Sequence, residues 1–116
     1  KTKKINLTGD ALMTQALKTL EINRGIEEFK KTPNAVLFDV RRPEEYAQGR
    51  IAGSKNVPVQ MAAKILEQVP DKETPIFLYC LSGARSRRAA AFLQREGYEN
   101  VTDLGGISGY KGQLEI

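Results

Sequence analysis

Two short apolar runs constrain this chain most. One is Ala35-Val36-Leu37-Phe38-Asp39-Val40, with a single polar residue near its end; the other is Pro75-Ile76-Phe77-Leu78-Tyr79-Cys80. Both read as central parallel strands, covered on both faces, whose carboxyl ends lie near a site. A helix follows the second run. Arg85 to Glu96 places Ala89, Phe92 and Leu93 on one inward face, and Gly97 terminates it. Pro43 to Gly49 predicts one or two helical turns, started by proline and stopped by glycine. Gln60 to Val69 sets Met61, Ile65, Leu66 and Val69 at helical spacing, with Met61 expected in the core. Residues 51–59 read as a loop holding a short extended piece.

Upstream, Lys18–Ile22 predicts a short extended segment. Asn23 is expected to cap a helix that presents Ile26 and Phe29 and ends at Pro33-Asn34. Ala11–Met13 with Ala16-Leu17 suggest a short helix after Thr8 or Asp10. Downstream, Tyr98–Leu104 holds a strand, Gly105-Gly106 a tight turn, and residues 107–116 one more short helix. The sum is an α/β fold with a mostly parallel central sheet and helices on both faces. Ligands of such sheets bind past the carboxyl ends of the strands, where Asp39 and Cys80 both lie.

A length of 116 residues suits one compact domain, expected over residues 18–116 with residues 1–17 as an N-terminal extension. The net charge of +4, from 18 basic and 14 acidic residues, makes no dense basic face, so no nucleic acid partner is expected. No apolar run approaches the roughly 20 residues that span a bilayer, so no membrane partner is expected either. One cysteine forms no internal disulfide and fits a reducing, cytoplasmic setting, although a leader cleaved ahead of Lys1 is compatible with the same sequence. The absence of histidine removes Ser-His and Cys-His relays and histidine metal sites. No metal and no cofactor is therefore expected, and any nucleophile must be activated by other means.

The segment Cys80-Leu81-Ser82-Gly83-Ala84-Arg85-Ser86 joins a buried strand to a helix. A short loop at such a junction curls its backbone N–H groups inward, and with the helix N-terminus it forms a nest for an anion. Gly83 permits a positive φ in the curl. Ser82 and Ser86 offer hydroxyl donors, and Arg85 a guanidinium. A cysteine at the lip of this cradle feels a field that favours thiolate over thiol without any histidine. The plain alternative is a buried structural cysteine at a strand end.

Four segments together resemble the rhodanese family of sulfurtransferases. They are Asp39-Val40-Arg41-Arg42-Pro43-Glu44-Glu45-Tyr46; Gly49-Arg50-Ile51-Ala52-Gly53-Ser54-Lys55-Asn56-Val57-Pro58; the Cys-x-x-Gly-x-Arg loop from Cys80 to Arg85; and Leu104-Gly105-Gly106-Ile107 with Tyr110. In order and spacing they run from about residue 20 to 112. Arg50 departs from the family's usual histidine, and Tyr110 from its frequent tryptophan.

The resemblance implies a rhodanese-like three-layer fold and a covalent mechanism. The Cys80 thiolate attacks the outer sulfur of a sulfane-sulfur donor such as thiosulfate, sulfite leaves, and a persulfide stays on Cys80. A thiophilic acceptor (cyanide, a small-molecule thiol or a protein thiol) then takes the sulfur. The loop of Leu81, Ser82, Gly83, Ala84 and Arg85 would hold the persulfide anion on its amides. Supporting roles are expected for Asp39, Arg41, Glu44 and Arg50. Arg85 braces the loop against a carboxylate such as Asp39 or Glu44, with direct substrate binding as its second role; Arg41 or Arg50 attracts an anionic donor at the mouth, with pairing to a surface carboxylate the other reading of Arg41; and Asp39 is structural. Tyr46 and Tyr110 are packing residues. Two other functions fit the loop. A dedicated persulfide carrier for one protein partner uses the same chemistry. A phosphatase or arsenate reductase also holds a thiolate in such a cradle, but its loop carries one residue more than the four between Cys80 and Arg85.

Overall fold

The computed structural model describes residues 17–116. The extension of residues 1–17 and the short helix expected within it thus lie outside the described residues, Leu17 apart. The described chain runs β1 (Lys18–Thr19), α1 (Ile22–Lys31), β2 (Val36–Asp39), α2 (Pro43–Gln48), β3 (Ser54–Asn56), a 3₁₀ turn (Val59–Met61), α3 (Ala63–Gln68), β4 (Ile76–Cys80), α4 (Ala84–Arg95), β5 (Val101–Gly106) and a second 3₁₀ turn (Ile107–Gly109). The five strands form one sheet in the order β1-β5-β4-β2-β3, and every pairing is parallel.

Strand alternation divides the core into two layers. Phe38, Val40, Ile76, Leu78 and Cys80 face α3 and α4, against Ile65, Ala89, Ala90 and Leu93. Leu37, Phe77, Tyr79 and Leu104 face α1, against Ile22 and Ile26. Full burial of each large side chain contributes about 1.5–3 kcal/mol. Gly25 of α1 sits where an added Cβ would lie 2.2 Å from Leu104 Cδ2, so this helix packs on β5 through bare backbone.

Local chemistry explains where several boundaries differ from expectation. Glu21, not Asn23, caps α1; its carboxylate accepts from the Arg24 amide. Asn23 instead ties the helix to the tail, donating to the Gly109 carbonyl and accepting from the Lys111 amide. Met61 is 41% exposed rather than core, because residues 59–61 take the tighter 3₁₀ turn and the helical face begins only at Ala63. The inward face of α4 is Ser86, Ala89, Ala90 and Leu93, with Phe92 at its edge. Gly105 and Gly106 continue β5 rather than turning. Leu78 pairs with Asp103 and Cys80 with Gly106, so β5 carries one extra residue, and Gly105 takes the left-handed φ of +75° that this bulge needs. The tail holds only the 3₁₀ turn and then an antiparallel bridge between Glu115 and Arg50. Among the described residues, no helix is long and apolar enough to cross a membrane.

The strand order positions the site. From β2 the chain moves outward to β3, and its next strand, β4, returns on the other side of β2. The carboxyl ends of β2 and β4 therefore flank a switch point, the crevice where α/β sheets bind ligands.

Candidate active site

The two adjacent strand ends are built differently. β2 ends at Asp39, which is fully buried. Its carboxylate accepts from the Arg41 amide at 2.9 Å, from Arg41 Nε at 3.0 Å and from Arg41 Nη2 at 2.6 Å. Nη2 also donates to the Gly49 carbonyl at 2.7 Å. Asn56 donates to the carbonyls of both Asp39 and Arg41. Beside them Tyr79 donates to Ser54 Oγ and accepts from the Ile51 amide. Burial pushes the Tyr79 phenol well up, keeping it neutral. Burial opposes the Arg41 charge, but the bonds and charge of Asp39 outweigh it and raise the guanidinium further.

β4 ends at Cys80, which is 1% exposed. The next four residues curl into α4, and Gly83 adopts a left-handed φ of +116°. That turn aims the Gly83 amide at Cys80 Sγ, 3.0 Å away. The N–H groups of Ser82, Ala84 and Arg85 have no hydrogen-bond partner among the described residues. They are the orphan donors expected at a helix start, where an anion is favoured. The loop must approach β5 closely to do this. A Cβ on Gly106 would stand 2.3 Å from the Leu81 carbonyl oxygen and 2.8 Å from Ser82 Cα.

Arg85 braces the loop, though through neither carboxylate expected. It forms a fork with Glu45 of α2, Nη1 to Oε1 at 2.7 Å and Nη2 to Oε2 at 3.1 Å. Arg85 pulls the Glu45 carboxyl down to about 2, and Glu45 raises the guanidinium in return. Glu45 also accepts from the Arg42 amide at the start of α2. Glu44 is exposed, and Asp39 is occupied by Arg41. Arg41 itself is 5% exposed and turned inward, so it offers no charge at the mouth. The Arg50 guanidinium stacks on the Tyr46 ring at 5.0 Å and pairs with Glu115 at 3.6 Å, which ties the tail to α2. Tyr46 and Tyr110 both pack; Tyr46 OH also donates to the Ser54 carbonyl.

Ser86 and Asp103 join the site in a way the loop pattern alone does not reveal. Ser86, fully buried on α4, gives its proton to Asp103 Oδ1 at 2.6 Å rather than to the sulfur. The Cys80 thiol donates towards Ser86 Oγ at 3.5 Å. The one hint in the sequence is a carboxylate inside the buried run Val101–Leu104. Among the described residues, no group of three or more Cys, Asp or Glu side chains stands close enough to hold a metal ion.

Comparison with known proteins shows the family. The family model for the rhodanese-like domain matches residues 23–113. A sulfurtransferase of Allochromatium vinosum is 39% identical over 77 residues, covering 66% of this chain and 71% of that protein. A thiosulfate sulfurtransferase of Escherichia coli is 37% identical over 71 residues, covering 60% and 68%. A tRNA uridine(34) hydroxylase of Erwinia tasmaniensis is 35% identical over 102 residues, and there the chain spans only 27% of the relative's length. A solved rhodanese with anions from Escherichia coli superposes with a TM-score of 0.65 at 32% identity, over 70% of this chain and 96% of that one.

Proposed function

Because the chain belongs to the rhodanese-like domain family, we propose that it is a sulfurtransferase that carries a sulfane sulfur as a persulfide on Cys80. The observation that carries this reading is the Cys80 sulfur set 3.0 Å from the Gly83 amide, at the mouth of a loop whose other amides lack partners. The Cys80 thiolate attacks the outer sulfur of a donor such as thiosulfate. A new S–S bond forms, the donor's own S–S bond breaks, and sulfite leaves with that electron pair. The terminal sulfur then bears the negative charge, and the amides of residues 81 to 85 stabilise it as an oxyanion hole stabilises developing charge. An acceptor such as cyanide takes the outer sulfur and returns Cys80 to thiolate. Arg85 holds the loop through Glu45 instead of binding the donor. Of the four residues between Cys80 and Arg85, three are exposed, so the loop over the buried sulfur faces solvent.

Leu81, next to the nucleophile, is 44% exposed. A dedicated carrier that passes the sulfur to one protein thiol uses the same chemistry and differs only in the acceptor. Steady-state rates with thiosulfate and cyanide test the covalent route: parallel double-reciprocal lines are expected, because one product leaves before the acceptor binds. Intersecting lines, or full activity in Cys80→Ser, would refute it.

A further inference from the structure

The persulfide cycle leaves one buried acid without a role. Asp103 is 4% exposed, and no Lys or Arg pairs with it among the described residues. A buried carboxylate with no counter-charge is costly to keep. Its Oδ1 accepts from the Gly105 amide at 3.0 Å and from Ser86 Oγ at 2.6 Å. A serine hydroxyl has one proton. Asp103 is the nearest of three acceptors round Ser86 Oγ, the carbonyls of Gly83 and Gly105 standing at 3.2 and 3.5 Å; with the proton given to Asp103, Ser86 presents a lone pair to Cys80 Sγ, 3.5 Å away. The three groups thus form one directional chain, S–H to O–H to carboxylate, inside a site without histidine. Asp103 also lines a cavity of about 750 Å³, together with Ser82, Ala84, Arg87 and Gly105.

We propose that Asp103 takes the Cys80 proton through Ser86. The S–H bond breaks as a new Oγ–H bond forms on Ser86, and the original Ser86 proton moves to Asp103 Oδ1. No electrons change hands. One negative charge has passed from carboxylate to sulfur, and Ser86 now donates to the thiolate it previously faced with a lone pair. Asp103 is then a positioning residue that acts through Ser86 and never touches the donor. The proposal rests on Cys80 being the nucleophile, as in the reading above. The other charges facing the chain hold their own partners or face solvent: Arg85 with Glu45, Asp39 with Arg41 on β2, and Glu21 and exposed Arg87 on the cavity wall.

The test is the pH profile of Cys80 alkylation by iodoacetamide, which needs no sulfur transfer and so fails independently of the persulfide reading. Two groups sharing one proton titrate in two coupled steps. The wild-type rate should rise in two inflections with a plateau between them. Asp103→Asn, which keeps an oxygen for the Gly105 amide, should lose the lower inflection. Ser86→Ala should lose it too, with the carboxylate intact, and Ser86→Thr should restore it by returning a hydroxyl. A single inflection in the wild type, or two inflections surviving in either Asp103→Asn or Ser86→Ala, would overturn the proposal. Should one variant not fold, the other is decisive by itself.

Discussion

The ends of β2 and β4 lie side by side, face the same crevice, and do opposite things. At β2 the polar groups pair with one another: Asp39 binds Arg41, Arg41 binds Gly49, and Asn56 closes the turn. At β4 one backbone donor, the Gly83 amide, turns to the sulfur, and the amides of Ser82, Ala84 and Arg85 are left without partners among the described residues. Both strands deliver a side chain to the switch point. A carboxylate there recruits a guanidinium and becomes a lock, while a thiol followed by a left-handed glycine becomes a cradle. Position in the sheet makes a site available, and the residues just after the strand decide whether it is rigid scaffold or reactive surface.

Substitutions can break this contrast, and the largest effect is expected at the lock. Asp39→Ala leaves the buried Arg41 charge unpaired and should cost about 3–5 kcal/mol, read as a lowered denaturant midpoint. A small change there, with sulfur loading lost instead, would mean that the β2 end belongs to the reactive half. Next comes the cradle. Gly106→Ala drives a methyl into the Leu81 carbonyl and shifts the loop, and displacements of this kind slow chemistry by about 100-fold. The rate of persulfide formation should therefore fall far more than stability does.

The bridge between the halves is Glu45 with Arg85. Its carboxyl sits at about 2 in the folded protein against an ordinary 4.5, so the pair stabilises the fold above about 4.5 and loses that contribution as pH falls through about 2. Glu45→Gln should remove about 1–2 kcal/mol at neutral pH, partial exposure of both side chains reducing the full linkage value. Thermal melts should show the variant and the wild type converging towards pH 2. The smallest effect is expected at Arg50→Ala. Its partner Glu115 is largely exposed, and such pairs contribute about 0–1 kcal/mol. A Tm scarcely changed, with normal sulfur loading, is the expected result.

How far the sequence reveals each half follows from the range of the interactions. The cradle is legible because its parts are contiguous: a strand ending in cysteine, a glycine able to take positive φ, and a helix start, all within Cys80–Arg85. The structural role of Asp39 is legible too, but its partner is not: Arg41, only two residues away, reads in the sequence as a charge at the mouth, and the buried turn that folds it back on Asp39 needs Gly49 and Asn56 from later in the chain. The brace falls one residue from its expected place, at Glu45 instead of Glu44, because Pro43–Gln48 is too short for its own pattern to fix which carboxylate faces α4. Asp103 is not legible. Its side chain shares the Cys80 face only because Leu78 pairs with it ahead of the bulge at Gly105, and two glycines read more simply as a turn. Met61 leaves the core for a similar reason, as a 3₁₀ turn carries residues off the face that a helical period assigns them.

The central claim is that Cys80 stores the transferred sulfur, and intact-protein mass spectrometry after incubation with thiosulfate tests it most directly. The account predicts a gain of one sulfur atom, mapped to the peptide holding Cys80, removed by cyanide or dithiothreitol, and absent from Cys80→Ser. An unchanged mass, or an adduct that persists in Cys80→Ser, would contradict it.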